Sequence, residues 1–248
     1  MIATLNHEMR TPLTSVRGYL DLVLDDTDAI PSPTLAMLRK VEANVDRLDD
    51  LVDAMGSMAD LDTRVGLSER MPVAAEPLVR RVCENLGRRA AEAGVRLDVE
   101  GAMPEGLTVS GDAELLARAI TALLDNAIKF TPHNGSVRVD LGWVLTPRGE
   151  PEAVIGIVDT GMGIPADDLP LVFTRFYRAS NAQRAAIRGA GLGLAIARAA
   201  IDAHGGVVTL ESRLAGGTSV RVRLPGANPP HSGPVPDPGA GAALLTPT

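Results

Sequence analysis

DAELLARAITALLDNAIKFTP, residues 112–132, reads as one long helix opening at Asp112, a side chain suited to capping free backbone N–H groups. Asn126 and Lys129 stand three residues apart and therefore share one face of that helix. An amide oxygen is a suitable hard ligand for magnesium, and a lysine suits the phosphates that magnesium bridges. Such a pair alone is as ordinary as any solvated helix face, so its meaning depends on what lies to either side.

Upstream, AEPLVRRVCENLGRRAAEAG (75–94) reads as a helix ending at Gly94, followed by the strands VRLDVE and LTVS. Downstream, SVRVDLGWV and AVIGIVD read as strands, GLGLAIARAAIDAHGG as a helix closed by glycines, and VVTLES with SVRVRLP as a closing strand pair. From Met71 onward this order predicts an α+β two-layer sandwich, with helices on one face of a sheet.

The AVIGIVD strand ends at Asp159 and runs straight into Gly161 and Gly163. A carboxylate at a strand end can accept a proton from an exocyclic amine, and glycines let the backbone close over a flat ring. A plain strand and its turn would look the same. RGAGLGLAIARA puts Gly189, Gly191 and Gly193 at a helix start, where free N–H groups and the helix dipole favour phosphate. This is not the dinucleotide fingerprint, which needs GxGxxG directly after a strand. Nor is there a P-loop, because the chain has two lysines, Lys40 and Lys129, and neither follows a glycine. FTRFYRASNAQRAAIR (173–188) is polar and basic without a clear period, and reads as a mobile loop of the kind that lids a site.

The first segment is of another kind. Apolar residues at Ile2, Leu5, Met9, Leu13, Val16, Leu20 and Val23 mark a helix to about Leu24. Turn chemistry at 25–33 follows, then Leu38, Val41, Val45, Leu48, Val52 and Met55 at heptad spacing. Two helices of this size leave an apolar stripe uncovered, and a second copy covers it, so a dimeric four-helix bundle is expected. His7 points about 180° away from the Leu5–Met9 stripe at 100° per residue, hence towards solvent. Glu8 is adjacent and can hydrogen-bond an imidazole nitrogen, while Thr11 lies one turn along. Pro12 cannot donate to the Glu8 carbonyl and should bend the helix beside the histidine. A zinc-protease helix would need a second histidine where Thr11 stands.

Composition sets outer limits. The 248 residues allow one large or two smaller domains, with 45% hydrophobic and 22% charged residues. Only 2% are aromatic, so the core must be aliphatic. A net charge of −7 argues against a nucleic-acid or anionic-membrane surface. The single cysteine, Cys83, rules out an intramolecular disulfide framework and a clustered-cysteine zinc site, and fits a reducing compartment. No apolar run approaches the ~18–20 residues of a membrane span, so a cytoplasmic piece without membrane contact is expected, whose parent can still be membrane-anchored. Met1 falls inside the apolar repeat, which reads as a fragment of a longer chain. The Pro- and Gly-rich residues 227–248 are expected to be a disordered tail.

In this order the motifs resemble the sensor histidine kinases of two-component signalling over residues 1–226. NHEMRTPL resembles that family's phospho-acceptor box, DNAIKFTP its N box, VDTGMGIP its G1 box, FTRFYR its F box and GAGLGLAIA its G2 box. HGG at 204–206 and GGTSVRVRLP resemble the closing segment of the same ATP-binding domain. The resemblance implies a dimerisation and histidine phosphotransfer hairpin over 1–66 and an ATP-binding domain of the gyrase and Hsp90 type over 67–226. It implies ATP-dependent phosphorylation of His7, oriented by Glu8, and transfer to the receiver domain of a response regulator. Thr11 would position water for a reverse phosphatase reaction. It further implies Asn126 as Mg²⁺ ligand, Lys129 on the phosphates, Asp159 on the adenine amine, and Gly161 and Gly163 shaping the adenine pocket. Gly189, Gly191, Leu192, Gly193 and Thr218 would complete the ATP site, with Tyr177 and Arg178 near the transferred group. One departure stands out: Ala122, one turn before Asn126, occupies a place where the family usually carries a polar residue. It supports the rival reading, a kinase-impaired dimeric scaffold or response-regulator phosphatase, and it argues against an ATPase that activates water with an acidic side chain there.

Overall fold

A computed structural model of the chain describes residues 2–25, 30–41, 44–45, 48, 70–185, 187 and 189–226, with side chains from Pro12 onward. The side chains of His7, Glu8 and Thr11, the seam positions Val52 and Met55, the boundary expected at 66/67 and the tail 227–248 lie outside the described residues.

Helix α1 spans Ile2–Leu24, ending where the apolar repeat ends, and its helical backbone continues through Pro12. Residues 32–41 form α2. On the predicted stripe Leu20 and Val45 are buried, whereas Val16, Val23, Val41 and Leu48 remain exposed in the single chain.

The second part runs β1 (Met71–Ala74), α3 (Ala75–Glu92), β2 (Arg96–Gly101), β3 (Thr108–Gly111), α4 (Ala113–Phe130), β4 (Ser136–Leu145), β5 (Pro151–Asp159), α5 (Ser180–Arg184), α6 (Gly193–Ala203), β6 (Val207–Ser212) and β7 (Thr218–Pro225). Five strands make one sheet in the order β2-β4-β5-β7-β6, while β1 and β3 form a separate antiparallel pair. β2 and β4 are parallel, and the other pairs of the large sheet are antiparallel. A parallel pair needs a crossover, which α4 supplies between β2 and β4.

The two-layer arrangement follows from patterning. Along β5, Ala153, Ile155 and Ile157 are buried and alternate with half-buried Glu152, Val154 and Val158, so one sheet face takes the helices. α4 lies at the centre and buries Leu116, Ile120, Leu123, Leu124 and Ile128 in the same core as Val137, Val139, Ile155 and Val222. Each such side chain contributes ~1.5–3 kcal/mol on burial, so α4 is fixed far more firmly by packing than by its caps. Among the described residues, Trp143 is the one aromatic side chain of that core, as the composition predicted.

The start of α4 and the end of α6 are also tied by polar contacts. The Asp112 carboxylate accepts from Glu114 N at 2.8 Å and Leu115 N at 3.1 Å, a cap contributing about 1 kcal/mol. Buried His204, just past α6, accepts the Asp112 N–H through Nε2 at 2.9 Å and donates from Nδ1 to the Ala200 carbonyl at 2.7 Å. That pattern requires the neutral ring with its proton on Nδ1. The first backbone group of α4 is thus fastened to the last turn of α6.

Two elements depart from the sequence expectation. β1 has no counterpart in it, and residues 180–184 of the expected loop form a turn of helix, α5. Among the described residues, no helix is long and apolar enough to cross a membrane.

Candidate nucleotide-binding cleft

Asn126 and Lys129 sit on the last turns of α4, partly exposed beside the buried Leu123–Leu124 and Ala127–Ile128 pairs. The helical period that buries four residues of this stretch turns these two outwards into a cleft of about 600 Å³. Asp159, Gly163, Tyr177, Arg178, Gly189, Gly191, Leu192, Gly193 and Thr218 line the same cleft. The α6 start is close enough that a Cβ at Gly193 would stand 3.2 Å from Asn126 Nδ2, and one at Gly189 2.6 Å from Lys129 Nζ. Residues far apart in sequence therefore converge where a helix start, an amide and an ammonium meet.

The base of the cleft is the end of β5. Asp159 is 7% exposed, and its Oδ1 accepts the Gly161 N–H at 2.8 Å and the Thr218 N–H at 3.1 Å. Burial pushes its carboxyl up to about 6, against the pull of those two N–H groups in the opposite direction. Gly161 does not itself line the cleft; it packs behind Asp159, and a Cβ there would lie 2.6 Å from both Asp159 Oδ1 and the Phe130 carbonyl. Gly163, at φ +64°, would carry a Cβ only 1.9 Å from the Arg213 carbonyl. The turn is thus locked by two glycines, and Ile164 N adds a bond to Ser212 Oγ at 2.9 Å.

The structure places Tyr177 and Arg178 in the cleft wall but engages their polar ends elsewhere. The Tyr177 hydroxyl donates to Asp168 at 2.6 Å, and the Arg178 guanidinium donates to the Ile187 carbonyl. Two further wall residues carried no signal in the sequence: Arg89 of α3 and Asp125 of α4, paired at 2.5 Å. Nothing in the spacing of residues 89 and 125 announces a contact that exists only once α3 packs on α4. Ala122 also lines the cleft, one turn before Asn126, and packs partly against the core.

The donor set fits a magnesium–nucleotide better than a protein-held metal. Among the described residues no group of three His, Cys, Asp or Glu side chains could cage an ion. Asn126 offers one hard oxygen, which suits an ion that keeps several waters and is shared with phosphates.

Two family models match the chain. "His Kinase A (phospho-acceptor) domain" matches residues 1–64, and "Histidine kinase-, DNA gyrase B-, and HSP90-like ATPase" matches residues 111–228. The signal transduction histidine-protein kinase/phosphatase MprB of Mycolicibacterium smegmatis is 36% identical over 97% of this chain and 47% of its own length. The chain thus spans about half the length of the curated relatives it matches. A solved mycobacterial sensor histidine kinase MprB is 32% identical, with a TM-score of 0.53 over 63% of this chain and 97% of that one. The structure of full-length ShkA in complex with AMPPNP is 26% identical, with a TM-score of 0.61 over 92% of this chain and 46% of that one. The two family models lie in succession along the chain, the solved MprB is matched over 97% of its length at 32% identity, and the chain belongs to the sensor histidine kinase family.

Proposed function

We propose that this chain is the catalytic core of a two-component sensor kinase that phosphorylates its own His7 from ATP and passes the group to a response-regulator aspartate. The observation that carries this is the convergence of Asn126, Lys129, Asp159 and the Gly189–Gly193 run on one cleft. In this reading residues 1–66 are the dimerisation and phosphotransfer hairpin and residues 67–226 the ATP-binding domain, working in the cytosol. The exposed Val16, Val23, Val41 and Leu48 support a homodimer through the hairpin.

Asp159, at the bottom of the cleft, accepts the adenine amine proton, and Thr218 and Gly161 hold its carboxylate for that task. Lys129 and the free N–H groups at the start of α6 take the phosphates, with Gly189, Gly191, Leu192 and Gly193 leaving room for them. Asn126 would hold Mg²⁺, which would supply neutralisation of the phosphate charge. His7 attacks the γ-phosphorus with an imidazole lone pair as the bond to the bridging oxygen breaks, and ADP leaves. An ordinary histidine pKa near 6.5 leaves most of the ring neutral at pH 7. Glu8 orients that ring, and Thr11 positions water in the reverse, phosphatase direction. Tyr177 stays in the cleft wall near the transferred group, and Arg178 comes to the phosphate only after exchanging its present partner, the Ile187 carbonyl. AMPPNP in the ShkA complex is a relative's ligand of the required class.

Ala122 favours a second reading, a kinase-impaired dimeric scaffold or response-regulator phosphatase, because a methyl group cannot hold an ion or a water. One experiment separates the two: incubation of the chain with γ-labelled ATP and Mg²⁺ beside His7→Gln. Acid-labile, base-stable label that vanishes in the variant is the expected result. ATP binding without label would transfer the assignment to the second reading.

A further inference from the structure

Asp168 does not line the cleft and no motif includes it, yet it is the most heavily used carboxylate beside the site. It is 8% exposed. Its Oδ1 accepts the Tyr177 hydroxyl at 2.6 Å, and its Oδ2 accepts both the Ser180 N–H at 2.8 Å and the Ser180 hydroxyl at 2.9 Å. Arg184 braces the same point, donating to Ser180 Oγ at 3.1 Å and Ser180 O at 3.2 Å. The Tyr177 hydroxyl, then Ser180 and Arg184, hold the Asp168 carboxyl below the usual range, so it stays an ionised acceptor at neutral pH.

The segment so held is one wall of the cleft, since Tyr177, Arg178, Ala179, Asn181 and Ala182 all face it. Two further ties lead to other walls. Asn181 Nδ2 donates to the Gly163 carbonyl at 2.7 Å, on the locked turn after Asp159, and Phe176 N donates to the Gly191 carbonyl at 2.9 Å. Phe176 takes φ +65°, a left-handed conformation that a bulky residue adopts only under restraint. The contacts around it supply that restraint, and the Asp168 carboxylate is the one charged group among the acceptors.

We propose that Asp168 is a positioning residue for nucleotide retention, fixing the 176–182 wall through Tyr177 and Ser180 so that the wall closes the cleft on a bound nucleotide. This rests on the ATP reading given above. Asp168 touches no nucleotide atom in it; losing the carboxylate frees the wall and leaves Asn126, Lys129 and Asp159 in place.

The test uses the full chain and its Asp168→Ala, Ser180→Ala and double variants. Four quantities are compared: KM and kcat for autophosphorylation, the dissociation rate of a fluorescent ATP analogue, and Tm. Asp168→Ala should raise KM and speed dissociation about tenfold or more, with kcat within about twofold. Ser180→Ala should show about two- to threefold, and the double variant no more than Asp168→Ala, because both remove one latch. Trypsin should also cut faster after Arg178 and Arg184 in Asp168→Ala without nucleotide present. A merely structural role would lower Tm and kcat together and leave KM unchanged. That result, or wild-type KM and dissociation in Asp168→Ala, or a multiplicative double variant, would overturn the proposal while the ATP reading stands. Should Asp168→Ala not fold, wild-type KM and dissociation in Ser180→Ala would overturn it instead. A wild-type chain that binds no ATP would overturn both.

Discussion

Asp159 carries the sharpest residue-scale consequence. Its carboxyl is raised from an ordinary 3.8 to about 6 by burial, so in the unliganded protein it contributes stability while protonated. That contribution is complete below the unfolded value near 4 and is lost as the pH rises through about 6. Nucleotide binding has the opposite sign, because an amine donor favours the ionised acceptor. ATP affinity should therefore fall about tenfold between pH 7 and pH 5, read by titration calorimetry, and Asp159→Asn should abolish the pH dependence. Equal affinity at both pH values would remove Asp159 from the base-reading role. Asp159 was legible in the sequence because a strand, a carboxylate and two glycines are adjacent there. Asp168 and Arg89 were not, since their partners are set by packing between segments 9 to 36 residues apart, and no local period encodes that.

At the scale of elements, α3, α4, α6 and the strands of the large sheet fell close to where period and caps put them, because each combines strong patterning with a legible end. Asp112 caps α4 as its position suggested. β1 escaped because MPVA has four residues, a proline at the second, and a single buried side chain, Val73. Pairing with β3 makes it a strand. The parallel pairing of β2 with β4 was equally silent, since period reveals strands and not their neighbours. The same scale holds the prediction for α1. Its helix runs through Pro12, which supplies no N–H for the Glu8 carbonyl one turn earlier. A helix weakened there can flex between the two encounters that the proposed function assigns to His7, first with the ATP domain and then with the regulator. Pro12→Ala should stiffen it and change the ratio of kinase to phosphatase rates at least severalfold, measured on the same preparation. Unchanged rates would make Pro12 a tolerated residue with no part in switching.

Across the whole molecule, the sheet is assembled out of chain order. Among the described residues β7 is the last strand in sequence, yet it lies between β5 and β6, and β6 pairs with β7 alone. Thr218 at its first position also donates to Asp159. A chain ending after residue 226 should keep its Tm and its ATP affinity, since the tail was expected to add nothing to the core. A chain ending after Gly217 should lose cooperative unfolding and nucleotide binding together, by circular dichroism and calorimetry. Retained binding in the shorter chain would show that β5 and its turn suffice.

The position of β7 also has a consequence in time. In chain order α1 comes long before β7, the strand whose Thr218 completes the surroundings of Asp159. In the proposed reading, a polypeptide still being made therefore carries His7 well before its own nucleotide cleft is complete.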